Sequence, residues 1–396
     1  MKNIGQGIVF KSKSGSDSQS CCFPSISVLP SGRWLCACRA APTKKGTVGQ
    51  HVIVSWSDDQ GRSWSKPVAP FKPPSVDSSR RSSPRSARAL RGGELAKGDG
   101  KSGLFRGLYT TPLGGRQVLG ALCWVDHSDP ALEFFNEKTE GLLDTRIFLA
   151  LSCDAGKTWS EPRLADTYPI REPLPLTGPI LLTSDGRWAC QFEVNKHYHD
   201  TRPWRHSSML MLSSDRGLTW NEFVVVTNDP ANRFFYWDQR PAVIGKKQIL
   251  DLFWTYDNRK AVYLNIHARE SLDNGRTWSA IWDTGVPGQP AAPVRLKDDR
   301  IAMVYVDRTG VPTIKARISA DGGRTWPERT ERILFRPPTA SQTRNKKSMS
   351  DAWSEMGKFS TGLPATAGLP NGDFLVVFYT GPETDKTDIG WIRVRT

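Results

Sequence analysis

One eight-position pattern constrains this chain more than anything else in it. Ser57, Asp59, Gly61, Ser63 and Trp64 spell S-x-D-x-G-x-[ST]-W. The pattern returns at 152–159, 213–220, 271–278 and 319–326, giving five copies. A unit repeated along a chain is one supersecondary element that buries its apolar face only by stacking on the next. Each copy follows a short apolar run, as in "QHVIVSW", "TRIFLAL" and "TIKARIS", and precedes another strand-like run. The copy therefore reads as a hairpin turn. Asp accepts bonds from backbone N–H groups of its own turn, and Gly supplies a positive-φ position. The Trp that opens the next strand has a large ring to bury. The repeat is thus a structural staple rather than a binding site.

These residues are the pattern of the Asp box, or BNR repeat. On it the chain resembles the sialidase superfamily of β-propellers. The resemblance runs over nearly the whole chain and implies an all-β fold of four-stranded antiparallel blades. It places the repeat turns on the face away from the site.

Six first hairpins can be counted, beginning "PSISVLPSGRWLCACRA" and ending "PATAGLPNGDFLVVFYTG". The expectation is a six-bladed β-propeller spanning 1–396 as a single domain. Only five repeat turns serve six blades. The last blade ends at the third strand, "DIGWIRVRT", so the N-terminal "IGQGIVF" is expected to complete it. Such closure hides edge strands. Two basic insertions, about 71–102 and 336–360, fall outside the pattern. Loops of that length are commonly functional or disordered.

The net charge is +14, concentrated in "SSRRSSPRSARALRGG" and "SQTRNKKSM". No nucleic-acid motif accompanies it, which makes nucleic acid an unlikely partner and two solvated loops the simpler reading. A basic surface also suits an anionic glycan. No apolar run is long enough for a transmembrane helix, and the start lacks a signal-peptide core. The expected location is the cytoplasm, or outside the cell had a leader been removed. Seven cysteines read as reduced, buried thiols, and Cys21-Cys22 has no second pair at zinc spacing. Neither a metal nor a cofactor is expected.

In the resembling family the site lies at one mouth of the channel, built from first-strand starts and second-strand ends. The starts offer Arg106, Trp237, Asp238 and Arg240. The ends offer Arg39, Trp124, Asp126, Glu193, His197, His199, Tyr256, Asp257, Arg259, Tyr305, Asp307 and Arg308. Candidate acids, bases and nucleophiles are Asp126, Glu193, Asp238, Tyr256, Asp257, Tyr305 and Asp307. Carboxylate pairs divide acid and base roles in glycoside cleavage, and a tyrosine nucleophile occurs in sialidases. Arg39, Arg106, Arg240, Arg259 and Arg308 are candidate anion binders, since the guanidinium fork matches a carboxylate. Trp124, Trp237, His197 and His199 complete the candidate binding set. The alternative for each is a loop contact that ties strand ends together.

The catalytic pattern of the family is missing. Its Arg-Ile-Pro motif falls on Cys22-Phe23-Pro24, and "RAAPTKKGTVGQH" contains no acid. The place of its nucleophilic tyrosine falls on Thr361 and Gly362. The expected function is a sialidase-like glycoside hydrolase acting on an anionic, sialic- or uronic-acid-type glycan. A non-catalytic glycan- or protein-binding propeller and a polysaccharide lyase are the alternatives.

Overall fold

The computed structural model describes residues 1–74, 101–338 and 347–396. The basic run 78–93 and most of the run 341–349 lie outside the described residues.

Strands form antiparallel sets that follow one another along the chain. The first joins Ser20–Val28, Trp34–Ala41 and His51–Ser57. Val54 and Val68 exchange both backbone bonds, the remnant of a fourth strand. The second joins Gly103–Gly114, Gln117–Asp126, Thr145–Ser152 and Arg163–Leu164. The third joins Leu181–Leu182, Trp188–Val194, Ser207–Ser213 and Glu222–Asn228. In the next two sets the first strand is broken in two. Phe234–Trp237 and Ala242–Gly245 pair with Gln248–Asp257, and Gln289–Pro290 and Val294–Arg295 pair with Ile301–Asp307. Thr361–Gly368, Phe374–Glu383 and Lys386–Arg395 end the chain. The N-terminal strand Lys2–Phe10 completes this last set, Lys2 opposite Arg395 and Phe10 opposite Ile389.

The core lies between successive sheets. Leu35 and Val54 pack with Leu108 and Leu122. Leu119 and Ile147 pack with Cys190 and Met211, and Leu210 with Ile249 and Phe253. Leu252 packs with Met303, and Val304 with Val376 and Ile392. Cys36 and Cys38 meet Leu375, Val377 and Trp391, which closes the ring. Sheets therefore cover both faces of each middle strand. That is why Trp34–Ala41 is buried at every position and reads as an apolar run interrupted only by Arg39. The fold is an all-β propeller.

Each repeat turn is held by one set of bonds. In the copy at 152–159, the Ser152 hydroxyl donates to Asp154 and accepts the Gly156 N–H at 2.8 Å. Asp154 accepts the Thr158 N–H at 2.8 Å and its hydroxyl at 2.6 Å. Asp59, Asp215, Asp273 and Asp321 do the same. Gly156 has φ 87°, and a Cβ there would lie 2.7 Å from Leu35 of the preceding sheet. The turn is thus a contact between sheets as well as a link between strands. All seven cysteines are free, and six are buried.

Candidate functional site

The starts of the first strands converge on a cavity of about 350 Å3. Every strand set reaches it: Phe23, Arg106, Thr177, Asp238, Gln289 and Leu363 each line it. None of the five repeat turns does. Three of these positions, Phe23, Asp238 and Leu363, hold non-glycine residues at positive φ, 54°, 50° and 44°. Such backbone is costly and persists only where its surroundings fix it.

At Asp238 the surroundings do so. Its N–H donates to Glu193 Oε1, Gln289 Nε2 donates to Oδ2, and Arg240 Nη2 lies 3.5 Å from Oδ1. The Gln289 carbonyl oxygen in turn accepts from Arg308 Nη1 at 2.7 Å. Arg308, Gln289, Asp238 and Arg240 thus form one chain of alternating donors and acceptors across two sheets. Behind Glu193 stands the buried ring of His206, with Nε2 3.5 Å from Oε2 and the ring edge-on to Trp204.

Cations dominate the remainder. Arg106 lies between two aromatic rings, 4.1 Å from the Phe134 centroid and 5.2 Å from that of Phe23. Its Nη1 donates to Gln50 Oε1 at 3.3 Å, and among the described residues it ion-pairs with no carboxylate. Burial, followed by Arg39 nearby, pulls its pKa down to about 9. Lys44 is buried as well, donating to Met356 O, Phe359 O and the Tyr379 hydroxyl at 3.0, 2.6 and 3.2 Å. Burial, then the Arg308, Arg106 and Arg39 charges, bring its pKa down to about 7, against an opposing pull from Cys22. Tyr109 also lines the cavity, and burial pushes its phenol up to about 12 against the pull of Arg240. Uncompensated buried cations are costly, so this arrangement is one that an anionic ligand relieves.

The structure brings together six of the residues that the sequence singles out: Arg106, Glu193, Trp237, Asp238, Arg240 and Arg308 line the cavity. The other ten stand away from it. Asp126, Asp257 and Asp307 each end a strand and accept the N–H two residues on, from Ser128, Arg259 and Thr309. They cap turns and pair with Lys101, Arg233 and Lys315. Arg259 serves there through its backbone. Tyr305 donates to Glu331, and Tyr256 donates to Ser348 O while stacking 5.1 Å from Trp237. Trp124 is fully buried and donates to Pro74 O. Arg39 is fully buried too, binding Gln50, Thr43 O and Gly46 O, and so shapes the loop that carries Lys44. His199 packs on Tyr198, and the His197 carbonyl accepts the Asp200 N–H. No metal-binding cluster occurs among the described residues.

Sequence reasoning missed Lys44, Tyr109 and His206. It also missed the helix Met349–Met356, whose Trp353 lines the cavity against Phe135 at 4.2 Å. The helix had a legible signal. Ser348 caps it by accepting the Asp351 N–H, an S-x-x-D start. A single lysine in a polar loop gives no comparable signal.

Residues 121–337, more than half of the chain, match the BNR repeat-like domain family. The chain belongs to that family. No curated protein matches the sequence. Among solved structures, this BNR repeat-like protein is similar to a protein of unknown function from Dyadobacter fermentans. That match has TM-score 0.69 and 17% identity, covering 99% of this chain and 98% of the other. It is also similar to the NanB sialidase of Streptococcus pneumoniae, with TM-score 0.62 and 13% identity over 98% and 70% of the two chains. The intramolecular trans-sialidase of Ruminococcus gnavus gives TM-score 0.60 and 12% identity over 100% and 98%. At these identities the likeness is one of fold.

Proposed function

We propose that this protein is a glycan-processing enzyme of six blades, a glycoside hydrolase that takes an anionic sugar into the cavity. The observation that carries this reading is the meeting of Lys44, Arg106, Arg240 and Arg308 with the carboxylates of Glu193 and Asp238 around one cavity. Arg106 has the position for the sugar's acidic group, its guanidinium set over two rings with donors to spare. Asp238 lines the cavity with 30% of its side chain exposed, against 11% for Glu193, and is the carboxylate of the pair placed for acid–base work. Trp237, Trp353 and Phe359 supply flat apolar surface for a sugar face. The sialidase-like fold of the similar structures supports a carbohydrate ligand.

A second reading, glycan binding without cleavage, draws on Gly362. A Cβ there would lie 2.1 Å from Arg308 Nη2, so the guanidinium fills the space of any side chain at 362. The test is mass spectrometry of products from a panel of sialosides and uronate-containing oligosaccharides. Products whose masses sum to the substrate plus one water support the hydrolase, and products that sum to the substrate alone would make it a lyase. Binding with no cleavage would favour the second reading.

A further inference from the structure

Tyr379 lies across the sheet from Gly362, in register with it. A Cβ on Gly362 would be 3.2 Å from the Tyr379 hydroxyl, so that hydroxyl sits against the first-strand start of the last sheet. The residue is nearly all enclosed, yet it lines the cavity.

Two cations stand at its oxygen. Lys44 Nζ donates to it at 3.2 Å, and the Arg308 guanidinium lies beside it, since a Cβ on Gly362 would meet both Arg308 Nη2 and the Tyr379 hydroxyl. A phenolic hydroxyl can both accept and donate. Lys44 takes its accepting side, and the O–H is what is left. Among the described residues that O–H meets no acceptor. Lys44, when charged, spends its three protons on Met356 O, Phe359 O and this hydroxyl, so it offers a ligand no free donor. Its place in the site is to act through Tyr379.

We propose that Tyr379 is the proton donor of this site, with Lys44 and Arg308 as the groups that stabilise the phenolate it leaves. This rests on the glycan-processing reading above. In the step, the Tyr379 O–H bond breaks and its proton passes to the departing glycosidic oxygen. The C–O bond breaks toward that oxygen, and the phenolic electron pair stays on Tyr379 between the two cations. The water that attacks the sugar carbon returns a proton to the phenolate. Burial pushes the Tyr379 phenol upward, so it carries its proton at neutral pH, as a donor must. The charge formed in transfer is met by donors already in place.

The experiment compares wild type with Tyr379→Phe on matched 4-nitrophenyl and methyl glycosides of glucuronic acid and N-acetylneuraminic acid, in both anomers. A poor leaving group needs the proton and a good one does not. The expected result is a loss of at least about 100-fold in kcat on the methyl glycoside, and of less than about 10-fold on the 4-nitrophenyl one. Equal losses on both, or no loss, would overturn the assignment of Tyr379. A wild type that cleaves none of the pairs would overturn the glycosidase reading itself, and the assignment with it. If Tyr379→Phe melts out of the fold, a fluorinated tyrosine at 379 replaces it. Its lower phenol pKa should bring the basic limb of the pH–rate profile down, and an unmoved limb would overturn the proposal.

Discussion

Gly323 of one repeat turn lies against Leu250 of the preceding sheet, so close that a Cβ at 323 would sit 2.5 Å from Leu250 Cδ2. Its φ is 92°, which side chains rarely adopt. Both facts point the same way. Gly323→Ala should lower stability by about 2 kcal/mol or more, from strain and overpacking together. Urea denaturation measures it, and an unchanged midpoint would remove the sheet-to-sheet role of the turn.

The turn aspartates give the fold an acid limit. Burial raises the Asp154 pKa, but bonds from the hydroxyl and amide of Thr158, the Ser152 hydroxyl and the Lys157 amide outweigh it and hold the carboxyl at about 2. The unfolded value is about 3.9. A folded pKa below the unfolded one contributes stability above about pH 4 that is lost as pH falls toward 2. Asp154→Ala should be less stable than wild type at pH 5, and the gap should narrow at pH 2.5. Denaturation at the two pH values tests this.

Arg106 should distinguish a planar cation from a point charge. Arg106→Ala and Arg106→Lys both lose the guanidinium stack between Phe23 and Phe134. Each should weaken binding of an anionic monosaccharide by about 10- to 100-fold, with Lys the milder. Calorimetry with glucuronate and N-acetylneuraminate reads the effect. A lysine variant equal to wild type would show that charge alone suffices.

Glu193 should matter as an acceptor. Its Oε1 takes the Asp238 N–H and so fixes a residue at positive φ. Glu193→Ala leaves that N–H without its partner and should cost about 10-fold or more in ligand affinity. Glu193→Gln keeps an acceptor and should lose less. The reverse order in the same calorimetric series would mean that the charge, and not the hydrogen bond, is what the site uses.

Much of the architecture was legible because it is local. A turn of Ser, Asp, Gly and Trp needs only its own eight positions to close, so five copies announce five such turns wherever the chain goes. The N-terminal strand was legible for a related reason: the last set lacks a repeat turn, and the strand "IGQGIVF" was left without a partner. The site was legible only in part. Asp238 and Asp257 look alike in the sequence, each at the border of an apolar run with an arginine two residues on. Asp238 faces the cavity, whereas Asp257 caps its own turn and pairs with Arg233. Asp238 sits at positive φ in the break between Phe234–Trp237 and Ala242–Gly245, whereas Asp257 ends its strand.

The sequence by itself determined the all-β repeat and the turns that hold it, because those depend on hydrogen bonds within a few residues and on runs buried from both sides. Only the tertiary structure decided what fills the cavity. Lys44, Tyr379 and Arg308 come from three separate stretches of chain and meet at the cavity wall. No short-range pattern records that meeting, since it exists only once the ring of sheets has closed.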